Sequence, residues 1–168
     1  MLRYWDALER WIIGILGAAA LVIYIWQIVG RYISIDLAMP WGEELTVYII
    51  IWAGLLTASQ LVREDGHVRA DLILRILKVP TQRLVEIGNC IVAIIFCAAL
   101  AWYGAYCTWD SYDIGERSMT ALAFPIWIYY LSLPTAATLM TLRYVIRLYM
   151  YAFRFDPETM AVHSGRES

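Results

Sequence analysis

From Trp11 to Gly30 the chain reads WIIGILGAAALVIYIWQIVG, 20 consecutive residues without a charge, bounded by Arg10 and Arg31. A helix rises about 1.5 Å per residue, so roughly 20 residues cross a hydrocarbon core about 30 Å thick. Outward from this stretch the same property recurs three times. There are 18 uncharged residues between Glu44 and Arg63, 23 between Glu86 and Asp110, and 25 between Arg117 and Arg143. These runs predict an all-α membrane protein of four transmembrane helices. The expected spans are about 11–30, 40–62, 87–109 and 125–143, in one membrane domain over 1–153 with a polar tail over 154–168.

Composition agrees. Hydrophobic residues make up 61% of the 168-residue chain and charged residues 17%, with a mean hydropathy of +0.59. Soluble domains lie nearer ~45–50% and ~25%. A water-soluble enzyme or a disordered chain does not fit these values. The 13 Lys and Arg against 15 Asp and Glu leave a net charge of −2, with no basic excess to suggest a nucleic-acid partner. Cys90, Cys97 and Cys107 make no C-x-x-C pair and no disulfide framework, and read as small packing residues.

Prolines mark the helix starts. Pro40 suits a first turn, which sets Glu43 and Glu44 near the positive end of the second helix. Those two acids have two open readings, pairing with Arg31 across the loop or favouring the helix N-terminus. Pro125 is expected to open the fourth helix and Pro134 to kink it. Cation placement sets the orientation, because the alternate sides carry eleven Lys or Arg against two, Arg31 and Arg117. Both termini are therefore expected in the cytoplasm, with the first helix retained rather than cleaved as a signal peptide, since Asp6 and Glu9 spoil a basic n-region. Trp5 and Trp11 flank one membrane surface. Tyr103, Tyr106, Trp109 and Tyr112 meet the other, opposite Trp127, Tyr129 and Tyr130.

Between the second and third spans, Asp71, Arg75 and Lys78 share one face of a short apolar segment. A short amphipathic interfacial helix over about 71–79 is expected there, with Arg69, Arg75 and Lys78 as candidate contacts to phospholipid headgroups. The two histidines, His67 and His163, lie outside the spans. No Asp, Glu, Lys, Arg or His falls at depth within the four runs, so neither a proton relay nor a haem anchor is evident, and no catalytic residue, metal ligand or cofactor is implied. Gln27, Gln60 and Asn89 read as structural hydrogen-bonding groups. Gly14 with Ala18, Gly54 with Ala58, and Cys90, Cys97 and Gly104 have helix-packing spacing. The whole describes a rigid helical accessory subunit. An autonomous small carrier and the membrane anchor of a respiratory enzyme are the alternatives, and each would need span residues that are lacking here.

Several motifs occur in a particular order. Arg31-Tyr32 precedes Trp41-Gly42-Glu43-Glu44. Trp52 and Gly54 follow, then Arg63-Glu-Asp-Gly66-His67-Val-Arg-Ala-Asp71. Ser118 precedes Leu122, Pro125 and Trp127, with Tyr130, Pro134 and Arg143 beyond. From about Arg31 to Arg147 this resembles the small membrane subunit, the Q component, of tripartite ATP-independent periplasmic (TRAP) transporters. Val68 and Ala70 stand where that family often has Ile and Val. The resemblance implies a place in the bacterial inner membrane and sodium-driven uptake of an organic acid. It implies a large membrane subunit that carries the transport sites and a periplasmic substrate-binding protein. Arg31, Trp41, Glu43, Glu44, Trp52, Gly54, His67, Asp71, Pro125, Trp127 and Pro134 are then the candidate subunit-contact or structural residues. By their spacing, His67 and Asp71 would fix the turn into the interfacial helix; His67 has no second ligand near in sequence to make a metal site.

Overall fold

The computed structural model describes residues 2–33, 41–63, 79–120 and 123–154. They form α1 (Leu2–Ile33), α2 (Gly42–Arg63), α3 (Val79–Asp113), the single turn α4 (Trp127–Tyr130) and α5 (Ser132–Phe153). Among the described residues the only extended pairing is an isolated bridge between Arg117 and Pro125. The interfacial helix expected over about 71–79 falls, up to residue 78, in the segment 64–78 outside the described residues, with Val79 already opening α3. His67, Arg69, Asp71, Arg75 and Lys78 lie in that segment too, and 155–168 of the expected tail are likewise outside the description.

Among the described residues, three helices are long and apolar enough to cross a membrane, over Tyr4–Ile33, Gly42–Val62 and Thr81–Asp113. The expectation of four such helices is met only in this coarser form. The fourth segment is divided into α4 and α5, and α5 carries Arg143 and Arg147. Proline supplies the reason for the division. Pro134 has no N–H, so the carbonyl of Tyr130 lacks its i+4 donor and the hydrogen-bond ladder is broken at Leu131, whose φ of −60° and ψ of −22° stay helical. Pro125 does not open a helix as expected. It pairs with Arg117, and its carbonyl accepts the N–H of Ile128 at 3.3 Å, one residue after helix α4 has begun.

The helices also overrun the charge-free stretches. At about 1.5 Å per residue, the 32 residues of α1 and the 35 of α3 reach well beyond a 30 Å hydrocarbon core. Charged residues read as flanks, such as Asp6, Glu9, Arg83 and Glu86, therefore belong to the same rigid rods as the apolar runs. At its far end α3 closes on Gly115, whose φ of +64° is left-handed. The N–H of Gly115 reaches the Tyr112 carbonyl at 3.1 Å and that of Glu116 the Ser111 carbonyl at 3.0 Å, which satisfies two orphan acceptors of the last turn.

Packing runs in the order α1, α2, α5, α3. Helix α1 lies against α2, α2 against α5, and α5 against α3, while α1 and α3 have no substantial contact. The helices stand in an open file with α1 and α3 at its edges, not in a closed square bundle. Helix α1 shows how this arises. Asp6, Glu9, Ile13, Leu16, Ala20, Ile23, Gln27 and Gly30 alternate by three and four along one seam, and every buried residue of α1 lies on it. Between Arg10 and Arg31 the rest of the helix is uncharged and largely exposed, including Trp11, Ile15 and Val22. Such an outward face suits hydrocarbon as its solvent.

Small residues divide between the two surfaces. Cys90, Cys97 and Gly104 face inward on α3, where a Cβ on Gly104 would stand 3.1 Å from Pro134 Cδ, so the bare backbone lets α5 approach. Gly14, Ala18 and Gly54 instead face outward, with open space around both glycines. Their spacing serves no contact among the described residues.

Candidate functional site

Polar side chains collect at the two ends of the file. At the end formed by the start of α1, the close of α2 and the second half of α5, Arg143 is inserted between two acids. Its guanidinium pairs with Glu9 and lies 3.3 Å from Asp6 Oδ1, with side-chain exposures of 11% for Arg143, 4% for Asp6 and 6% for Glu9. Gln60, from α2, donates to Glu9 Oε2 at 3.0 Å and to the Asp6 carbonyl at 3.4 Å. One Arg thus ties α5 to α1 across the end of α2.

A second pair lies on the other side of α5. Arg147 meets Glu86 Oε2 at 3.2 Å and stacks 5.5 Å above the Tyr151 ring. Arg83 donates to the carbonyls of Tyr151 at 2.9 Å and Ala152 at 2.6 Å. A cation on the last turn of α5 satisfies orphan acceptors and complements the negative end of the helix dipole. Arg143 and Arg147 are four apart on α5; Arg143 reaches past the end of α2 to α1, and Arg147 turns to the neighbouring α3.

At the opposite end, Arg31 pairs with Glu43, both well exposed. Glu44 turns the other way. It accepts the hydroxyl of Tyr48 at 2.8 Å and that of Thr120, so the loop after α3 is held on α2. Tyr48 packs on Phe124 and Tyr129 with ring centroids 5.4 and 5.5 Å apart. Trp52 Nε1 donates to the Ile128 carbonyl at 3.2 Å, which binds α2 to α4. Trp127 meets Tyr112 edge-on at 5.6 Å. Trp41 lies in the turn before α2, its carbonyl accepting the Leu45 N–H at 3.1 Å. Gln27 lies against Gly42, where a Cβ would overlap it.

Of the candidate residues, the structure therefore brings Arg31 to Glu43, Glu44 and Trp52 to the loop and turn between α3 and α5, and Pro134 to Gly104. Gly54 faces outward alone. Asn89 is exposed and has no side-chain hydrogen bond among the described residues, contrary to the structural role expected of it. Sequence reading missed Asp6, Glu9, Glu86 and Arg147 as a buried ionic layer and counted them only as flanking charges. The three-four seam of α1 was the available signal, because it passes through both Asp6 and Glu9.

Chemically, these groups serve as clamps. The carboxylates at the α1 end face guanidinium or amide donors. Among the described residues no group of three or more His, Cys, Asp or Glu gathers as a metal site would require.

Comparison with known proteins is consistent with such a framework. Residues 20–153 match the family model described as tripartite ATP-independent periplasmic transporters, DctQ component. The chain is 26% identical over 107 residues to the C4-dicarboxylate TRAP transporter small permease protein DctQ of Rhodobacter capsulatus, covering 64% of this chain and 47% of that protein. It is 26% identical over 153 residues to the sialic acid TRAP transporter permease protein SiaT of Haemophilus influenzae, covering 86% of this chain and 23% of the relative. It is 30% identical over 136 residues to the isethionate TRAP transporter permease protein DctMQ of Oleidesulfovibrio alaskensis, covering 74% and 20%. The matches thus span about half or less of these relatives' lengths. The matched family is a transporter component, not an enzyme, and with three apolar helices the chain is a multi-pass inner-membrane protein. It belongs to the DctQ component family of the tripartite ATP-independent periplasmic transporters.

Proposed function

We propose that this chain is the small accessory subunit of a TRAP transporter, a static brace for a large membrane subunit. In this reading the complex takes up an organic acid with sodium and a periplasmic substrate-binding protein. The observation that carries it is the disposition of charge. Arg143 and Arg147 hold Asp6, Glu9 and Glu86 in interhelical clamps at one end of the file. Between the two polar ends the described helices hold no ionisable row that would carry an anion across. In SiaT and DctMQ the matched segment is part of a much longer chain, which favours a subunit that works joined to another.

The same reading makes α4 and α5 together the fourth crossing. Helices then alternate in direction, both termini are cytoplasmic, and the Arg143 layer lies at the inner surface. The segment over 71–79 is the interfacial helix, with Arg69, Arg75 and Lys78 toward lipid phosphate. The motif residues Arg31, Trp41, Glu43, Glu44, Trp52, Gly54, His67, Asp71, Pro125, Trp127 and Pro134 shape the brace and its subunit contacts. Against a respiratory anchor, no histidine occurs among the described residues.

Reconstitution tests the proposal. Liposomes holding this chain alone should take up no organic acid. Adding its large partner and binding protein should give sodium-dependent uptake, and omitting this chain should abolish it. Uptake by the chain alone, or full uptake without it, would refute the accessory role.

A further inference from the structure

The outward face of α1 carries a groove of about 400 Å³ lined by Arg10, Trp11, Gly14, Ile15 and Ala18. Its floor exists because Gly14 and Ala18 leave the helix backbone nearly bare one turn apart, and nothing else approaches Gly14 within 4 Å. Trp11 and Ile15, both well exposed, form its walls. At its mouth stands Arg10, exposed and without an acid partner among the described residues, at the boundary of the charge-free run. Of the other described cations at this end of the file, Arg83, Arg143 and Arg147 are engaged by carboxylates or carbonyls, whereas Arg154 is exposed at the close of α5, away from the groove on α1.

We propose that this groove seats an anionic phospholipid, with its phosphate on the Arg10 guanidinium and the upper part of one acyl chain over Gly14 and Ala18. Charge and shape both choose this occupant. A guanidinium at membrane-surface depth, next to an apolar channel, matches a headgroup joined to a chain. Trp11 is suited to the same depth. A partner helix fits less well, because the bare floor extends only one turn, about 6 Å, before Leu21 and Val22 close it, and close helix pairs need small residues over a longer contact. The inference needs only that α1 lies in a membrane, and stands apart from the transporter role.

Native mass spectrometry of the full chain, released from mixed phosphatidylglycerol and phosphatidylcholine membranes, tests it. The wild type should keep phosphatidylglycerol in preference. Arg10→Gln should lower that retention about fivefold, the effect of one basic side chain beside an anionic surface, and Gly14→Leu should lower it by filling the floor. Arg117→Gln, an exposed arginine at the other end of the file, should leave it unchanged. Thermal melting checks that each variant folds, and Ala18→Leu replaces Gly14→Leu if that variant melts early. Wild-type retention in both Arg10→Gln and the groove-filled variant would overturn the proposal. So would equal retention of the two lipids. A groove-filled variant that keeps its lipid but fails to co-purify a large membrane chain would also overturn it, by assigning the groove to a helix.

Discussion

Replacing Arg143 by Gln should destabilise this protein far more than the loss of an exposed charge at its helix ends. Arg143 neutralises Asp6 and Glu9 where all three side chains are nearly excluded from solvent. Glutamine retains a donor but no charge, so two carboxylates would stay buried beside one another with only Gln60 and the new amide to serve them. Removing one partner of a buried ion pair costs about 3–5 kcal/mol. The layer lies near a helix end, and unfolded membrane helices find alternative partners, so the lower figure, about 3 kcal/mol, is expected. That corresponds to roughly a hundredfold in the folding equilibrium. Reversible denaturation in mixed micelles, followed by tryptophan fluorescence, measures it. The reference is Arg31→Gln, which breaks an exposed pair with Glu43 and should cost at most about 1 kcal/mol. In the Arg143→Gln background, adding Asp6→Asn and Glu9→Gln should recover more than half of the loss, because it removes the stranded charge. Equal costs for the two arginine variants, or no recovery in the triple variant, would refute the reasoning.

Gly104→Val should force α3 and α5 apart, since a Cβ there meets Pro134 Cδ at 3.1 Å and its backbone nitrogen at 3.3 Å; the expected cost is about 1–3 kcal/mol in the same assay. Trp52→Phe keeps the ring but loses the bond to the Ile128 carbonyl, and should cost about 1 kcal/mol and speed amide exchange in α4. Pro134→Ala restores a donor for the Tyr130 carbonyl and should join α4 to α5; hydrogen exchange at Leu131 to Thr135 should slow by about fivefold, the worth of one hydrogen bond, and unchanged exchange would contradict the stated cause of the break.

The sequence by itself determined the solvent of this protein. A charge-free run such as Trp11 to Gly30 is a property of each residue summed along one helix, and transfer into hydrocarbon is nearly additive, so three crossing helices were legible without neighbours. The same additivity made Pro134 readable as a break, because a missing N–H is local. Which helices touch was not legible. The order α1, α2, α5, α3 depends on pairs of surfaces, and lipid solvates an apolar helix as well as another helix does, so hydropathy cannot rank the pairings. Gly14 and Gly54 have packing spacing yet face outward, whereas Gly104 meets α5. Only the tertiary structure decided that Arg143 turns to α1 and Arg147 to α3. Along the sequence each is one more flanking cation, and its meaning arises where an arginine on one rod comes level with an acid on the next.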